Sequence, residues 1–130
     1  MLIDASSSDS LTRQIIGCAM EVHKTIGNGS PEVIYQRALA YELQLASLYF
    51  KREFDMPIFC KGIHVGTRRV DLLVEDIISV ELKVVIMLDR AHLAQAINYL
   101  EAYNLKTGLL INFGSPSLTF KRLYNNKHTL

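Results

Sequence analysis

From Leu11 to Ile26 the apolar residues Leu11, Ile15, Cys18, Ala19, Val22 and Ile26 recur every three or four positions, which predicts a helix with one buried face. Ser8, Asp9 and Ser10 offer a cap in front of it. Gly27-Asn28-Gly29 should end it, because Gly and Asn tolerate the left-handed conformation that closes a helix. Ser30-Pro31-Glu32 starts a second helix: Ser as cap, Pro at the first helical position, and an acid favoured there by the helix dipole. This helix should run to about residue 48. The period then falls to two. Met56, Ile58 and Cys60 alternate with Asp55, Pro57 and Phe59 in a strand from Phe54 to Cys60, ended by a turn at Lys61-Gly62, and Pro57 points to an edge position or a bulge. Two more strands, Arg68 to Glu75 and Ile77 to Ile86, have few polar interruptions, as strands covered on both faces do. Asp89 caps a helix from Arg90 to about Asn104, which Lys106-Thr107-Gly108 should end. Leu109 to Phe113 is a buried strand, Gly114-Ser115-Pro116 a turn, and Leu118 to Leu123 a last strand. Residues 1–9 and the polar tail 125–130 are expected to be flexible.

The order α-α-β-β-β-α-β-β predicts an α/β (α+β) fold, a mixed central sheet flanked by helices. The 130 residues suffice for one domain, with no internal repeat and no linker. An apolar fraction of 49% and a charged fraction of 21% exclude a disordered chain. No apolar run nears the roughly 18 residues of a membrane span, and the N-terminus lacks signal-peptide character, so a cytoplasmic protein is expected. Gly27-Asn28-Gly29 links two helices and follows no strand, which removes a dinucleotide fingerprint. Cys18 and Cys60 are too few for a disulfide framework or a four-thiolate site, and both read as small buried hydrophobes. The net charge of +1 gives no whole-molecule attraction for nucleic acid. Phosphate contacts would have to come from local pairs, and Lys51-Arg52, Arg68-Arg69 and Lys121-Arg122 are the candidates.

Three charges interrupt the apolar run from Val70 to Val84: Asp71, Glu81 and Lys83. Buried charges cost several kcal/mol, of that order, unless paired, hydrogen-bonded or metal-bound. Glu81 and Lys83 share one strand face, about 7 Å apart, with Leu82 turned the other way. A turn centred on Asp76 sets Asp71 opposite Glu81, Cβ atoms about 5 Å apart, and puts Val70, Leu72, Val80 and Leu82 on the opposite face. Two such carboxylates repel, and Lys83 offsets this only in part; a divalent cation would resolve it. Oxygen ligands without nearby His or Cys favour Mg²⁺ or Mn²⁺ over zinc. Such an ion could polarise a phosphoryl oxygen and generate hydroxide, with Lys83 orienting the water or stabilising developing charge. A surface salt-bridge cluster on a hairpin is the plainer alternative, which the apolar flanks disfavour.

Asp71 followed by Glu81-Leu82-Lys83 resembles the Asp…(Asp/Glu)-x-Lys signature of the PD-(D/E)XK nuclease superfamily, whose restriction-endonuclease-like core runs α-β-β-β-α-β. The first helix and the last strand would then be additions to that core. Gln95-Ala96-Ile97-Asn98-Tyr99 resembles the Gln-x-x-x-Tyr motif of the RecB-like branch. Gly29 to Tyr35 is similar to the segment that names the GxxExxY family of small bacterial proteins, and Gly108 to Arg122, with Asn112-Phe113-Gly114-Ser115, is similar to its C-terminal strands. The resemblance spans about residues 10–124. It implies a metal-dependent deoxyribonuclease in which Asp71, Glu81 and the backbone carbonyl of Leu82 hold Mg²⁺ or Mn²⁺ and Lys83 is the catalytic lysine. Glu32 would bind the metal directly or through water. Gln95 and Tyr99, four apart on one helix face, would line the cleft and position substrate, with His92 one turn earlier, while Leu93, Ile97 and Leu100 supply a separate packing face. Val70 stands where the superfamily name has proline, which is not a ligand.

So little basic surface implies capture of DNA through a homodimer or a partner protein. The alternative is a non-catalytic nucleic-acid- or protein-binding module that keeps the nuclease fold; the presence together of Asp71, Glu81 and Lys83 weighs against it. A phosphatase or other hydrolase using the same metal chemistry would differ only in substrate.

Overall fold

The computed structural model describes residues 3–129. Residues 1, 2 and 130, part of the ends expected to be flexible, lie outside the described residues. Eight elements follow in the expected order: α1 (Ile3–Ile26), α2 (Glu32–Leu45), β1 (Phe50–Cys60), β2 (Ile63–Val74), β3 (Ile78–Lys83), α3 (Arg90–Tyr103), β4 (Thr107–Asn112) and β5 (Thr119–Tyr124). The strands form one mixed sheet in the order β1-β2-β3-β4-β5, every pair antiparallel except β3–β4. That parallel pair needs a crossover, which α3 supplies.

Each face of the sheet has its own core. Leu11, Ile15, Ile16, Ala19 and Val22 of α1, with Tyr35, Leu39 and Leu43 of α2, pack against Leu72, Val74, Ile78, Val80, Leu82, Leu109 and Ile111. On the other side Ala96, Tyr99 and Leu100 of α3 pack against Met56, Val70, Leu73, Leu110 and Leu123. All six residues of β4 are buried, as a central strand covered on both faces requires.

Several local expectations are corrected. The helix α1 continues through Ser8, Asp9 and Ser10 instead of being capped by them. Pro31, not Ser30, occupies the cap position of α2, and it makes no side-chain cap. The helix α3 ends at Asn104, whose left-handed φ of 51° lets its N–H reach back to the last turn, so Thr107 and Gly108 are free to open β4. The strand β3 stops at Lys83, three residues before the expected end at Ile86. Cys60, expected inside, is exposed at the β1–β2 tip, and Cys18 is only half-buried. In the tail, Asn125 is buried and donates to the carbonyls of Leu100 (3.1 Å) and Leu105 (2.9 Å), and Thr129 N–H donates to Asn104 Oδ1 at 2.9 Å.

The β1–β2 hairpin is far longer than β3, so only Leu72, Leu73 and Val74 of β2 pair with it. Pro57 lies on the edge strand, and a register shift follows between Ile58 and Phe59. A second irregularity matters more. The β1–β2 pairs Arg52↔Leu72 and Phe54↔Val70 skip Glu53, which carries a left-handed φ of 52° opposite Asp71. The resulting kink breaks the alternation, so Val70 joins the α3 core while Leu72 remains on the α1–α2 side. The expectation that Val70 shares a face with Leu72, Val80 and Leu82 is therefore wrong.

Candidate active site

The β2–β3 ladder runs from Val74↔Ile78 to Leu72↔Val80 and stops there, a register that brings Asp71 abreast of Glu81 as the turn at Asp76 predicts. Where the next rung would be, the Asp71 side chain takes the place of backbone. Its Oδ2 accepts from the N–H of Leu82 at 2.8 Å, and its Oδ1 accepts from Nε2 of Gln36 at 3.2 Å. Leu82 is fully buried, so this carboxylate satisfies an N–H that would otherwise be orphaned. In an extended strand the N–H and C=O of one residue point to the same edge, so the Leu82 carbonyl also faces the opening.

Among the described residues, Glu81 has no such donors. Burial pushes its carboxyl up to about 8, and the neighbouring Asp71 charge adds to the shift; Arg68 and Lys83 oppose it. Glu81 and Lys83 line a small cleft with Arg68, His92, Gln95, Ala96 and Leu110. At the first turn of α2, partial burial raises the Glu32 carboxyl, Asp71 raises it further and Lys83 lowers it, so this acid lies within electrostatic reach of both. Among the described residues, however, no three His, Cys, Asp or Glu side chains converge as a ready cage for a metal. Two adjacent carboxylates and a strand-edge carbonyl are a hard-oxygen set, which fits an ion that keeps much of its water, as Mg²⁺ does.

The segments flanking these residues are locked together. The Tyr35 hydroxyl donates to Gly27 O at 2.5 Å and accepts from Ser30 N–H at 3.2 Å, fixing the chain that leads into Glu32. Its ring stacks on Phe113 with centroids 4.6 Å apart, and Phe113 N–H donates to the Lys83 carbonyl at 2.9 Å. Asn112, fully buried, accepts from Val85 N–H (3.0 Å) and Gly114 N–H (2.9 Å) and donates to Val85 O (2.9 Å). Gly114 permits this approach, since a Cβ there would lie 2.4 Å from the Val85 nitrogen. Thus the Gly29–Tyr35 and Asn112–Ser115 segments form one joint that holds the end of β3 against the start of α2.

The α3 residues divide differently from expectation. Gln95 is exposed and lines the cleft. Tyr99 is 0% exposed and belongs to the packing face with Ala96 and Leu100. Its hydroxyl finds no partner among the described residues, and burial raises its pKa. His92 caps the helix: its Nδ1 accepts from Asp89 N–H at 3.1 Å while Asp89 Oδ1 accepts from His92 N–H at 3.0 Å. Arg68 is drawn to the cleft, donating to Gln95 O at 2.6 Å and Asn98 Oδ1 at 3.2 Å with its guanidinium 5.8 Å from the Tyr99 ring centre. Its neighbour Arg69 instead pairs with Asp55 (2.7 Å) and Glu53 (3.3 Å) on the outer strand. Lys51 pairs with Asp76 at 3.1 Å. Lys121 borders a separate groove with Ile86, Met87 and Phe120, and Arg122 approaches Thr12 at 3.5 Å. Of the three basic pairs, then, only Arg68 reaches the cleft. Gln36 and Asn112 were not singled out from sequence; Gln36 had a signal, a polar residue on the buried stripe of α2.

The sequence pattern of the PD-(D/E)XK nuclease superfamily matches residues 9–123. The chain belongs to that superfamily. A solved structure titled "Crystal structure of SSO0001" matches with a TM-score of 0.58 at 16% identity, covering 72% of this chain and 50% of that one. This likeness carries the fold alone, and the chain spans about half the length of that protein. No curated protein matches. The three helices and five-stranded mixed sheet are those of a restriction-endonuclease-like fold. No described helix is long and apolar enough to cross a membrane.

Proposed function

We propose that this PD-(D/E)XK protein is a deoxyribonuclease of the GxxExxY type, RecB-like in its Gln95–Tyr99 motif, that hydrolyses phosphodiester bonds in DNA with Mg²⁺ or Mn²⁺. The observation that carries the reading is the interrupted ladder. Asp71 leaves the strand pairing to stand beside Glu81, with Lys83 on the same strand face as Glu81 and Glu32 within reach of both Asp71 and Lys83. Asp71, Glu81 and the Leu82 carbonyl would hold the ion, and Glu32 would act through water. When bound, the ion supplies a nucleophile at neutral pH and polarises a phosphoryl oxygen. Lys83 orients the attacking water and offsets negative charge that develops on the phosphate. Arg68, already at the cleft, contributes a fixed cation for a phosphate oxygen, and Gln95 supplies an exposed amide to the same cleft. DNA is captured with help from a second copy or a partner protein.

The test is incubation of purified protein with linear and circular DNA plus Mn²⁺. Lys83→Ala should lower the cleavage rate by about 10²–10⁴-fold, the usual contribution of a positioned proton-handling or charge-stabilising group. Equal degradation by both proteins would sink the proposal.

A further inference from the structure

Gln36 is 6% exposed, sits one turn after Glu32 on the same face of α2, and points its Nε2 at Asp71. Its Oε1 is buried and has no hydrogen-bond partner among the described residues. A buried amide oxygen left without a partner is destabilising, so its presence beside two carboxylates calls for a reason. Exchanging the two ends of the amide does not help, since it would aim an oxygen at the Asp71 carboxylate and leave the nitrogen orphaned instead. The remaining partners are those that the protein itself does not supply: a cation or the water around it.

We infer that Gln36 is a positioning residue of the metal site. Its Nε2–H and the Leu82 N–H grip one oxygen each of Asp71 and fix the plane of that carboxylate. Each Asp71 oxygen retains a further lone pair for the ion, since an ionised carboxylate accepts at about four sites. The Gln36 Oε1 completes the arrangement as an acceptor for the hydrated cation. It is this function, and not packing, that keeps a polar side chain on the buried stripe of α2 between Tyr35 and Leu39. The inference rests on the metal-dependent reading proposed above, and adds to it an amide on a helix that none of the signature motifs contains.

The decisive measurement is calorimetric titration of Mn²⁺ into the full chain and into Gln36→Leu and Gln36→Met, with thermal unfolding of the metal-free proteins alongside. Outer-shell partners of a metal ligand typically carry 10–100-fold in affinity, so both variants should bind Mn²⁺ about 10–100-fold more weakly. Their metal-free unfolding temperatures should stay close to that of the parent, because losing the amide contact to Asp71 and removing the orphaned oxygen act in opposite directions. Unchanged Mn²⁺ affinity in either folded variant would overturn the inference and leave the nuclease reading standing. A lowered unfolding temperature with unchanged affinity would assign Gln36 to packing and overturn it likewise. Absence of Mn²⁺ binding by the parent chain itself would remove the metal reading and this inference together.

Discussion

The two strands that meet at the site treat their acids in opposite ways. On β2, Asp71 is held by two donors, the Leu82 N–H and the Gln36 amide, and serves the fold by closing an incomplete ladder. On β3, Glu81 is desolvated, faces the charge of Asp71, and receives only partial relief from Arg68 and Lys83. One acid is satisfied by the protein; the other is left wanting a positive charge. The site is therefore assembled around a fixed carboxylate and a strained one, and the strained one marks where a cation has most to offer.

Breaking the satisfied side should cost the fold most. Asp71→Asn turns an amide N–H toward one of the two donors that the carboxylate now accepts, leaving a buried donor unsatisfied. Chemical denaturation of the metal-free protein should show a loss of about 1–3 kcal/mol. A variant as stable as the parent would mean that Asp71 does not hold the ladder end.

Changing the strained side should reverse the sign. With an ordinary carboxyl value of 4.5 in the unfolded chain and about 8 in the folded one, Glu81 keeps its proton in the folded state after the unfolded state has lost it. Between those values the folded state binds more protons, so the stability of the metal-free protein falls as pH rises from about 4.5 through 8. Glu81→Gln should flatten this slope and be the more stable protein above pH 8, while losing Mn²⁺ binding. Denaturation midpoints at a series of pH values check this, and an unaltered slope in the variant would contradict the assignment.

The smallest effect belongs to the periphery of the site. Tyr99→Phe removes a hydroxyl that has no partner among the described residues, so stability should change by no more than about 1 kcal/mol, in the favourable direction if at all. Assaying DNA cleavage by the same variant sharpens the comparison. Unchanged cleavage leaves Tyr99 as core, whereas a large drop at unchanged stability would place its hydroxyl among the working groups.

The sequence made the element order and the Asp71–Glu81 register legible because both follow from period and from one turn, at Asp76. It did not reveal the kink at Glu53, since no glycine or asparagine marks that left-handed residue, and the face of Val70 was misjudged as a result. Nor did it reveal that α1 begins before Leu11, where polar residues carry no apolar period. The burial of Tyr99 was not legible, because Leu93, Ile97 and Leu100 already supply an apolar face and nothing in the spacing shows that Ala96 and Tyr99 join the same core. Gln36 and Asn112 act through partners 35 and 27 residues away, so the polar position on the buried stripe of α2 and the Asn112-Phe113-Gly114-Ser115 segment could be seen in the sequence but their partners could not.

The parallel pairing of β3 with β4 places Lys83 opposite Asn112 on its last rung. Because the two strands are joined only through α3, that rung cannot close until the crossover has been made and docked, a non-local event of the kind that slows folding. A growing chain that has emerged as far as Lys83 already contains Glu32, Asp71 and Glu81, yet lacks the neighbour strand that buries Glu81 and the clamp that holds Val85. The surroundings of Glu81 are thereby completed only in the finished sheet.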